Sequence, residues 1–236
     1  MLPSPIPLAA VGSLPRPSRA VAARIAQPLP LDGSLTSPHW LAGSPLDVNY
    51  DPIALKRQPI ATTARLLYDD SFLYVGFDCE DDDPWATLAD RDAQLWTEET
   101  VEVFLVPLRR GQGVGPNPVQ YLELGVNPLN AQYDILLTGY PGPTWRSPDS
   151  DIGWDVAGLR SAVRVWPGRW TAEIAIPFAG LTTWDVPMPP RPGDVWRMQL
   201  GRADRPHRGD TQWLCWAPMR TTFHQPWLFG ELSFAG

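Results

Sequence analysis

The chain has 236 residues, a formal net charge of −7 and an isoelectric point near 4.9. Such an acidic chain, with arginines scattered among acids, lacks the electrostatic footprint of a protein that binds nucleic acid or an anionic membrane, and no apolar stretch is long enough to cross a bilayer. With 28 prolines, 19 glycines and 12 tryptophans, the composition favours short strands joined by turns.

Residues 1–23 are rich in proline, alanine and arginine, which predicts an arm that leads into one domain over residues 24–236. The first five residues carry no positive charge beyond the terminus and are interrupted by prolines, so they lack the pattern of a signal peptide. A leader missing from the sequence would give the same pattern. The sequence therefore assigns neither a compartment nor an oligomeric state.

Strand patterns recur along most of this domain. They are predicted at residues 63–68, 71–80, 100–106, 119–126, 132–137, 159–166, 169–176, 195–202, 211–216 and 228–234. Short connections at 69–70 and 167–168 indicate hairpins, and residues 177–181 form the one predicted helical turn. About ten strands without alternating helices predict an all-β antiparallel sandwich.

The segment that begins at Trp96 is the most informative part of the chain. Val101, Val103 and Leu105 can enter a core, which leaves Glu102 on the opposite face of the strand. Trp96 would lie at the rim of that face. An aromatic ring covers the apolar side of a sugar and a carboxylate accepts its hydroxyl protons, so this pair favours sugar recognition. A half-buried edge strand with a solvated glutamate gives the same pattern.

A second glutamate can extend this surface. Glu123 alternates with leucines on its own predicted strand, so it shares a face with Glu102 if the two strands are neighbours. The two carboxylates could act as acid and nucleophile of a glycosidase. They could equally accept hydrogen bonds from a bound sugar, or form ion pairs with Arg197 or Arg202.

Aromatic residues are frequent near the predicted strand ends and loops. They are Trp96, Trp145, Trp154, Trp184, Trp213, Trp216, Phe223 and Trp227. Several of these must be core residues, but the number exceeds what one sandwich core needs. The excess predicts a platform of one or two exposed rings.

An acidic run over residues 78–83 offers hard oxygen ligands of the kind that calcium prefers. It lacks the spacing and the glycine of the helix–loop–helix calcium motif, so a solvated acidic loop is the alternative. Asp81 and Asp82 are the candidate calcium ligands within it.

Cysteine and histidine give no site of their own. Cys79 and Cys215 fall in different predicted strands, which favours two buried thiols over a disulfide. His39, His207 and His224 have no metal-ligand spacing. The glycine-rich loop at 111–115 is not followed by a helix, so it is not a phosphate-binding loop.

Six segments in order, which span roughly residues 24–236, resemble the family 9 carbohydrate-binding module. They are Leu31-Asp32-Gly33 with Trp40, the stretch from Ala64 to Val75, Trp96–Leu105, Gly168–Pro177, Trp213–Pro218 and Pro226–Leu232. The resemblance implies a β-sandwich that binds sugars without hydrolysing them, often at a chain end. It also implies structural calcium and attachment to enzymes that degrade xylan or cellulose.

The resemblance assigns roles to particular residues. The family holds a sugar between two tryptophans, and Trp96 matches the first, with Glu102 matching a glutamate that contacts the ligand. The second tryptophan falls at Phe223, so a ring is kept and the indole is lost. An arginine of the family falls at Gly125, and Arg202 or Glu123 could supply a replacement contact. Asp81 falls at the start of the family's loop after its hairpin, which favours calcium there.

We therefore predict non-catalytic carbohydrate binding through an aromatic-walled site of Trp96 and Phe223, with Glu102, Glu123 and Arg202 as polar contacts. The glycosidase use of the glutamate pair is one alternative. The related haem-binding sandwich is another, since Met188, Met198 or Met219 with His207 or His224 could form an axial pair. A third is an interaction module without a small-molecule site.

Overall fold

A computed structural model describes residues 17–115, 119–140, 147–207, 210–219 and 222–236. Its fifteen strands are β1 (Arg19–Arg24), β2 (Leu46–Asp47), β3 (Tyr50–Asp51), β4 (Lys56–Arg57), β5 (Thr62–Tyr68), β6 (Phe72–Glu80), β7 (Thr100–Val106), β8 (Val119–Val126), β9 (Gln132–Gly139), β10 (Asp149–Asp151), β11 (Arg160–Trp166), β12 (Arg169–Pro177), β13 (Val195–Asp204), β14 (Gln212–Cys215) and β15 (Gly230–Phe234). Short 3-10 helices cover Pro38–Ala42, Leu95–Thr97, Phe178–Gly180 and Pro226–Leu228. None of the helices in these described ranges has the length and apolar character that a membrane span requires.

The strands follow one path of hydrogen-bonded neighbours that folds into two sheets. The order is β10-β9-β8-β7-β13-β15-β1-β5-β6-β12-β11. Strand β1 joins the two sheets: residues 19–22 pair in parallel with β15, and residues 23–24 pair in parallel with β5. The first sheet therefore runs from β10 to β1, and the second from β1 to β11.

The core lies between the two sheets, as the alternation of apolar residues requires. The first sheet contributes the inward residues of β7 and β8, among them Val103 and Leu124, which are paired in register. The second contributes Val75 and Ile174, which are paired across β6 and β12. All four side chains have no exposed surface. Burial of apolar side chains such as these stabilises the sandwich by roughly 25 cal/mol per Å².

The outer face of one sheet is covered by protein chain, and that of the other sheet is partly open. The outer face of the second sheet is covered by residues that follow β1, where Ile25, Leu29 and Trp40 pack against Leu67 and Tyr74. On the first sheet, the outer-face residues of β7, β8 and β9 line an open cleft instead. The fold thus leaves one sheet face for a ligand.

All ten predicted strands are present, and the all-β sandwich is confirmed. The hairpins at 69–70 and 167–168 are confirmed by the antiparallel pairs β5–β6 and β11–β12. The sequence missed β1, β2, β3, β4 and β10, of which four have only two or three residues. Too few positions alternate in such short strands for a pattern to be read.

The predicted arm also differs from the structure in part. Residues 1–16 lie outside the described residues, but residues 19–23 belong to β1, within the sandwich. Alanines at 20 and 22 face the core and are at most 3% exposed. Small apolar residues carry a weak strand signal, so the sequence pattern does not distinguish this strand from an arm. Cys79 and Cys215 are buried free thiols, as predicted.

Candidate functional site

A cleft of about 610 Å³ lies on the outer face of the first sheet. We call it the central cleft. Its lining residues come from β7, β8, β9, β14 and the loops around them: Pro52, Ile53, Gln94, Trp96, Glu102, Phe104, Glu123, Ile135, Leu137, Ser147, Pro148, Ser150, Ile152, Trp213, Thr222, Phe223 and His224. Four of the five predicted ligand-binding residues are in this set.

The two glutamates reach the cleft because their strands are neighbours. In the β7–β8 pairing, Glu102 lies opposite Gly125 and Phe104 opposite Glu123, so the two carboxylates are on one face at diagonal positions. Glu102 is 2% exposed and Glu123 is 6% exposed. The shared surface predicted from alternation is therefore formed, but its carboxylates are at the floor of a cleft.

Tyr133 joins the two carboxylates. Its hydroxyl lies 2.8 Å from Oε1 of Glu123 and 3.2 Å from Oε1 of Glu102. One phenolic hydrogen can be donated to only one of them, so the other bond needs a proton on a carboxyl group. The geometry therefore favours a carboxyl pair that holds a proton.

The surroundings of Glu102 and Glu123 also favour a proton on the pair. Burial raises the pKa of Glu102 well above its usual range, and the neighbouring charge of Glu123 raises it further. Burial also raises the pKa of Glu123, against the opposing effect of His224, whose Nδ1 lies 3.7 Å from Oε2. A carboxyl that keeps its proton donates a hydrogen bond, and one that loses it accepts, so the pair offers a bound hydroxyl both kinds of partner.

Gly125 leaves space for the ring of Tyr133. A Cβ atom at this position would lie 2.2 Å from Cε1 of Tyr133, which is paired with it across β8 and β9. The tyrosine ring thus occupies the space above the position where the resemblance placed an arginine. The hydroxyl of this ring lies within hydrogen-bond distance of both glutamates.

Aromatic rings flank the carboxyl pair on two sides. Trp96 is partly buried and packs edge-on against Tyr133, with ring centroids 5.2 Å apart. Phe223 lies edge-on to Phe104 at 5.8 Å and to Trp213 at 5.9 Å. Phe223 is only 6% exposed, whereas Trp213 is partly exposed. Of these two rings, Trp213 therefore presents more surface to the cleft than Phe223 does.

Arg202 does not line the central cleft. It is paired with Val101 on the core face of β13, while its neighbour Gly201 is opposite Glu102. The side chain is fully buried, and its guanidinium donates to Asp81 at 2.8 Å and Asp204 at 3.3 Å. The prediction of Arg202 as a sugar contact overlooked that strand alternation places it on the face opposite Glu102.

The proposed calcium ligands lie in this arginine cluster. Asp81, Glu99 and Asp204 offer carboxylate atoms within 4.8 Å of one another, and Arg202 also lies 3.7 Å from Glu99. The guanidinium supplies one positive charge among these three carboxylates. Asp82 is exposed and belongs to neither of the carboxylate groups found among the described residues. Asp81 thus lies in a buried carboxylate group that contains an arginine, Asp82 lies outside it, and calcium at these residues stays a prediction.

The other candidates are placed elsewhere. Met198 and Met219 are buried in the core, His207 bonds to Asp83, and His224 bonds to the hydroxyl of Tyr121. This arrangement gives no support to a haem axial pair. Trp154 and Trp184 pack against each other outside the central cleft, and Trp145 lies outside the described residues.

The predicted site lacks three residues: Trp213 and His224, which line the cleft, and Tyr133, which bonds to its two glutamates. Tyr133 falls on the same face as Glu102 and Glu123 only through the β8–β9 register, which the sequence does not give. Trp213 and His224 are brought to the cleft by β14 and the loop after it. No spacing in the sequence indicates that contact, because it depends on long-range pairing.

A two-sheet sandwich with rings and carboxylates on one open face is the architecture of a binding module. The family model described as carbohydrate family 9 binding domain-like matches residues 31–236, and the chain belongs to this family. No curated protein matches the chain.

Solved structures share this fold at low sequence identity. A family 9 carbohydrate-binding module from Caldicellulosiruptor kristjanssonii in complex with glucose has a TM-score of 0.66 and 16% identity, over 93% of this chain and 96% of that chain. The module from that organism in complex with cellotriose has a TM-score of 0.64 and 16% identity, over 93% and 94% of the two chains. The crystal structure of a protein from Bacteroides uniformis ATCC 8492 has a TM-score of 0.66 and 15% identity, over 92% of this chain and 99% of that chain.

Proposed function

We propose that this chain binds carbohydrate without hydrolysing it, and that the sugar binds in the central cleft. The observation that carries the proposal is the buried Glu102–Tyr133–Glu123 group within one cleft that Trp96 also lines. A sugar ring has apolar C–H faces and a belt of hydroxyls, which an aromatic wall above a hydrogen-bonding floor matches. Family membership and the sugar complexes of the structural neighbours support the same ligand class.

The position of the carboxyl pair supports binding over hydrolysis. Glycosidases place two carboxyl groups on either side of the scissile bond. Here both groups come from adjacent strands of one sheet face and bond to the same tyrosine hydroxyl. They would contact a sugar from the same side.

We propose that the ligand is a sugar of the xylan or cellulose type. Stacking on a ring together with a few hydrogen bonds that involve a carboxylate gives affinities of about micromolar to millimolar. Loss of the Trp96 ring should remove a contact of the kind that dominates binding energy, on the order of 2 kcal/mol.

The test is calorimetric titration of the whole chain with glucose, xylose, cellotriose and xylotriose. We expect heat from at least one of them, and an affinity about 30-fold lower for Trp96→Ala. Trp166→Ala is the matched control, because Trp166 is a partly exposed tryptophan on the β11–β12 hairpin of the other sheet. The proposal fails if no sugar produces heat, or if Trp96→Ala binds as tightly as the control. Turnover of an aryl glycoside that is lost in Glu102→Gln would favour the glycosidase instead.

A further inference from the structure

The positions directly opposite Glu102 and Glu123 in the neighbouring strands carry no charged or polar side chain. They are Gly125 and Gly201, opposite Glu102, and Phe104 and Ile135, opposite Glu123. Cross-strand neighbours are the side chains with which a residue in a sheet interacts most closely. Neither a glycine nor an apolar side chain offers a carboxylate a cation or a hydrogen. The sheet therefore holds two acids on one face without a cation opposite either of them.

Few hydrogens reach the carboxylate oxygens of this pair. The hydroxyl of Tyr133 contacts Oε1 of each glutamate, and it has a single hydrogen to donate. Nδ1 of His224 lies 3.7 Å from Oε2 of Glu123, which is beyond hydrogen-bond distance. Within the described ranges, neither carboxylate accepts a hydrogen bond from any other residue. Because buried charges are normally paired and hydrogen-bonded, the pair can still accept bonds from a cationic donor.

The other residues of the central cleft do not supply a cation. Among its described lining residues, Glu102, Glu123 and His224 are the titratable ones, and the remaining polar side chains are neutral amides and hydroxyls. Arg205 donates from Nε to the carbonyl oxygen of Trp96 at 3.2 Å, but it is not among these lining residues. Burial and then the charge of Glu123 raise the pKa of Glu102 despite the opposing charge of Arg205. The floor of the cleft therefore favours a positively charged group.

One cation can contact both carboxyl groups. The two Oε1 atoms bond to the same tyrosine hydroxyl, at 2.8 and 3.2 Å, so they lie within about 6 Å of each other. An ammonium group has three hydrogens and donates to carboxylates at about 2.8 Å, so it can reach two acceptors across that distance. A sugar hydroxyl has one hydrogen and no charge. An ammonium group therefore matches the pair better than a hydroxyl does.

Two further features favour a sugar that is also a cation. Trp96 is partly exposed and lines the cleft, and the face of an indole attracts a cation as well as the C–H face of a sugar. The chain has a formal net charge of −7, which attracts a cationic polymer and repels an anionic one. Both features act in the same direction as the carboxyl pair.

On the basis of the proposed function, we propose that the ligand is a sugar of the cellulose type that carries a protonated amino group. The ammonium group binds between Glu102 and Glu123, and the sugar ring lies against Trp96. A glucosamine unit is the simplest ligand of this class. The proposal names the substituent that the acidic floor selects, which stacking on a ring leaves undefined.

The test compares sugars that share one ring and differ in charge. Calorimetric titration of the whole chain uses glucose, glucosamine, 6-amino-6-deoxyglucose and N-acetylglucosamine at about pH 7, where most of each amine is protonated. The two amino sugars carry the ammonium group at different carbons, so they present it in different orientations of the ring. We expect at least one of them to bind at least tenfold more tightly than glucose. N-acetylglucosamine, whose nitrogen is uncharged, should show no such gain.

Variants of the pair separate its charge from its shape. Glu102→Gln and Glu123→Gln each remove an acidic group and nearly keep its shape. We expect the ratio of the amino-sugar affinity to the glucose affinity to fall below threefold in both variants. The ratio is the readout, because the proposed site uses both residues for neutral sugars as well. Glu80→Gln is the control, since Glu80 is exposed at the end of β6 in the other sheet, and its ratio should stay above tenfold.

Thermal melting of each variant verifies that it is folded. An unchanged ratio in both glutamine variants would place the ammonium group elsewhere and refute its binding between the two glutamates. If a variant binds neither sugar, the comparison of ligands with the wild-type protein decides.

The ligand series can overturn the inference in four distinct ways. Equal affinities for glucose and both amino sugars would refute the ammonium group and leave sugar binding intact. Tighter binding of glucuronate than of glucose would show that the cleft selects an anion. Equal affinities for cyclohexylammonium and glucosamine would show a cation site that does not recognise the sugar. The absence of binding by every sugar, cellotriose and xylotriose included, would refute the proposed function itself.

Discussion

Trp40 donates a hydrogen bond from its indole nitrogen to Oε1 of Glu173, at 2.9 Å. The same carboxylate accepts from the backbone amides of Asp32 and Gly33, both at 2.8 Å, and of Leu35 at 3.2 Å. Glu173 projects from the outer face of β12 and has no exposed surface. One buried carboxylate thus fixes the segment that covers the second sheet, and the first sheet alone is left open.

We predict that Glu173→Ala destabilises the protein strongly. The substitution leaves four donors without their acceptor, and each buried donor without a partner costs about 1–3 kcal/mol. The free energy of unfolding from urea denaturation should fall by at least about 3 kcal/mol.

The control for this measurement is Asp70→Ala. The Asp70 carboxylate is 79% exposed and pairs with Arg24 at the surface, so its loss should cost less than about 1 kcal/mol. Similar small losses for both variants would contradict the role given to Glu173.

Arg202→Met is expected to destabilise the protein by about 3–5 kcal/mol, because it leaves buried carboxylates without their cation. Asp81, Glu99 and Asp204 surround the fully buried guanidinium. Arg19→Met removes an arginine whose side chain is 78% exposed, and it should have little effect. Urea denaturation gives the free energy of unfolding of the two variants. Equal values would show that the Arg202 cluster contributes nothing to stability.

Removal of divalent metal ions should leave the thermal stability of the wild-type protein unchanged. Arginines lie within both three-carboxylate groups of the described residues: Arg202 with Asp204, and Arg91 with Asp155 at 2.8 Å. We expect EDTA to shift the melting temperature by less than about 2 °C, which corresponds to less than 1 kcal/mol. A larger drop that calcium reverses would support the structural calcium that the family resemblance implies.

The carboxyl pair of the central cleft should make stability depend on pH. The folded pKa values of Glu102 and Glu123 are raised above their usual range by burial. Their contribution to stability is therefore present below about pH 4.5 and is lost as the pH rises through the raised folded values. Between about pH 5 and pH 8 the double variant Glu102→Gln/Glu123→Gln should lose less stability than wild type, by on the order of 1–2 kcal/mol.

Urea denaturation of wild type and the double variant at about pH 5 and about pH 8 measures this difference in lost stability. Asp134 and Glu99, whose pKa values burial raises to about 6 and about 9, keep their contributions in both proteins. Glu80→Gln changes an exposed glutamate and is the control. Parallel pH profiles for wild type and the double variant would show that the pair is ionised throughout.

Gly125→Ala should weaken sugar binding. Its Cβ would lie 2.2 Å from the ring of Tyr133, so the ring must move and its bonds to the two glutamates are lost. We expect an affinity at least tenfold lower and a stability loss of about 1–3 kcal/mol. Gly113→Ala is the control, because nothing lies within 4 Å of its Cβ position. Unchanged affinity in Gly125→Ala would mean that Tyr133 does not hold the site.

The sequence by itself determined the sandwich, ten of its strands and the face on which Glu102 and Glu123 lie. These follow from local alternation, since a strand places successive side chains on opposite faces whatever its neighbours are. The partners of those side chains depend on long-range pairing, which only the tertiary structure decided. It placed Tyr133 over Gly125, brought Trp213 to Phe223, and surrounded Arg202 with buried carboxylates, because register between distant strands sets which side chains meet.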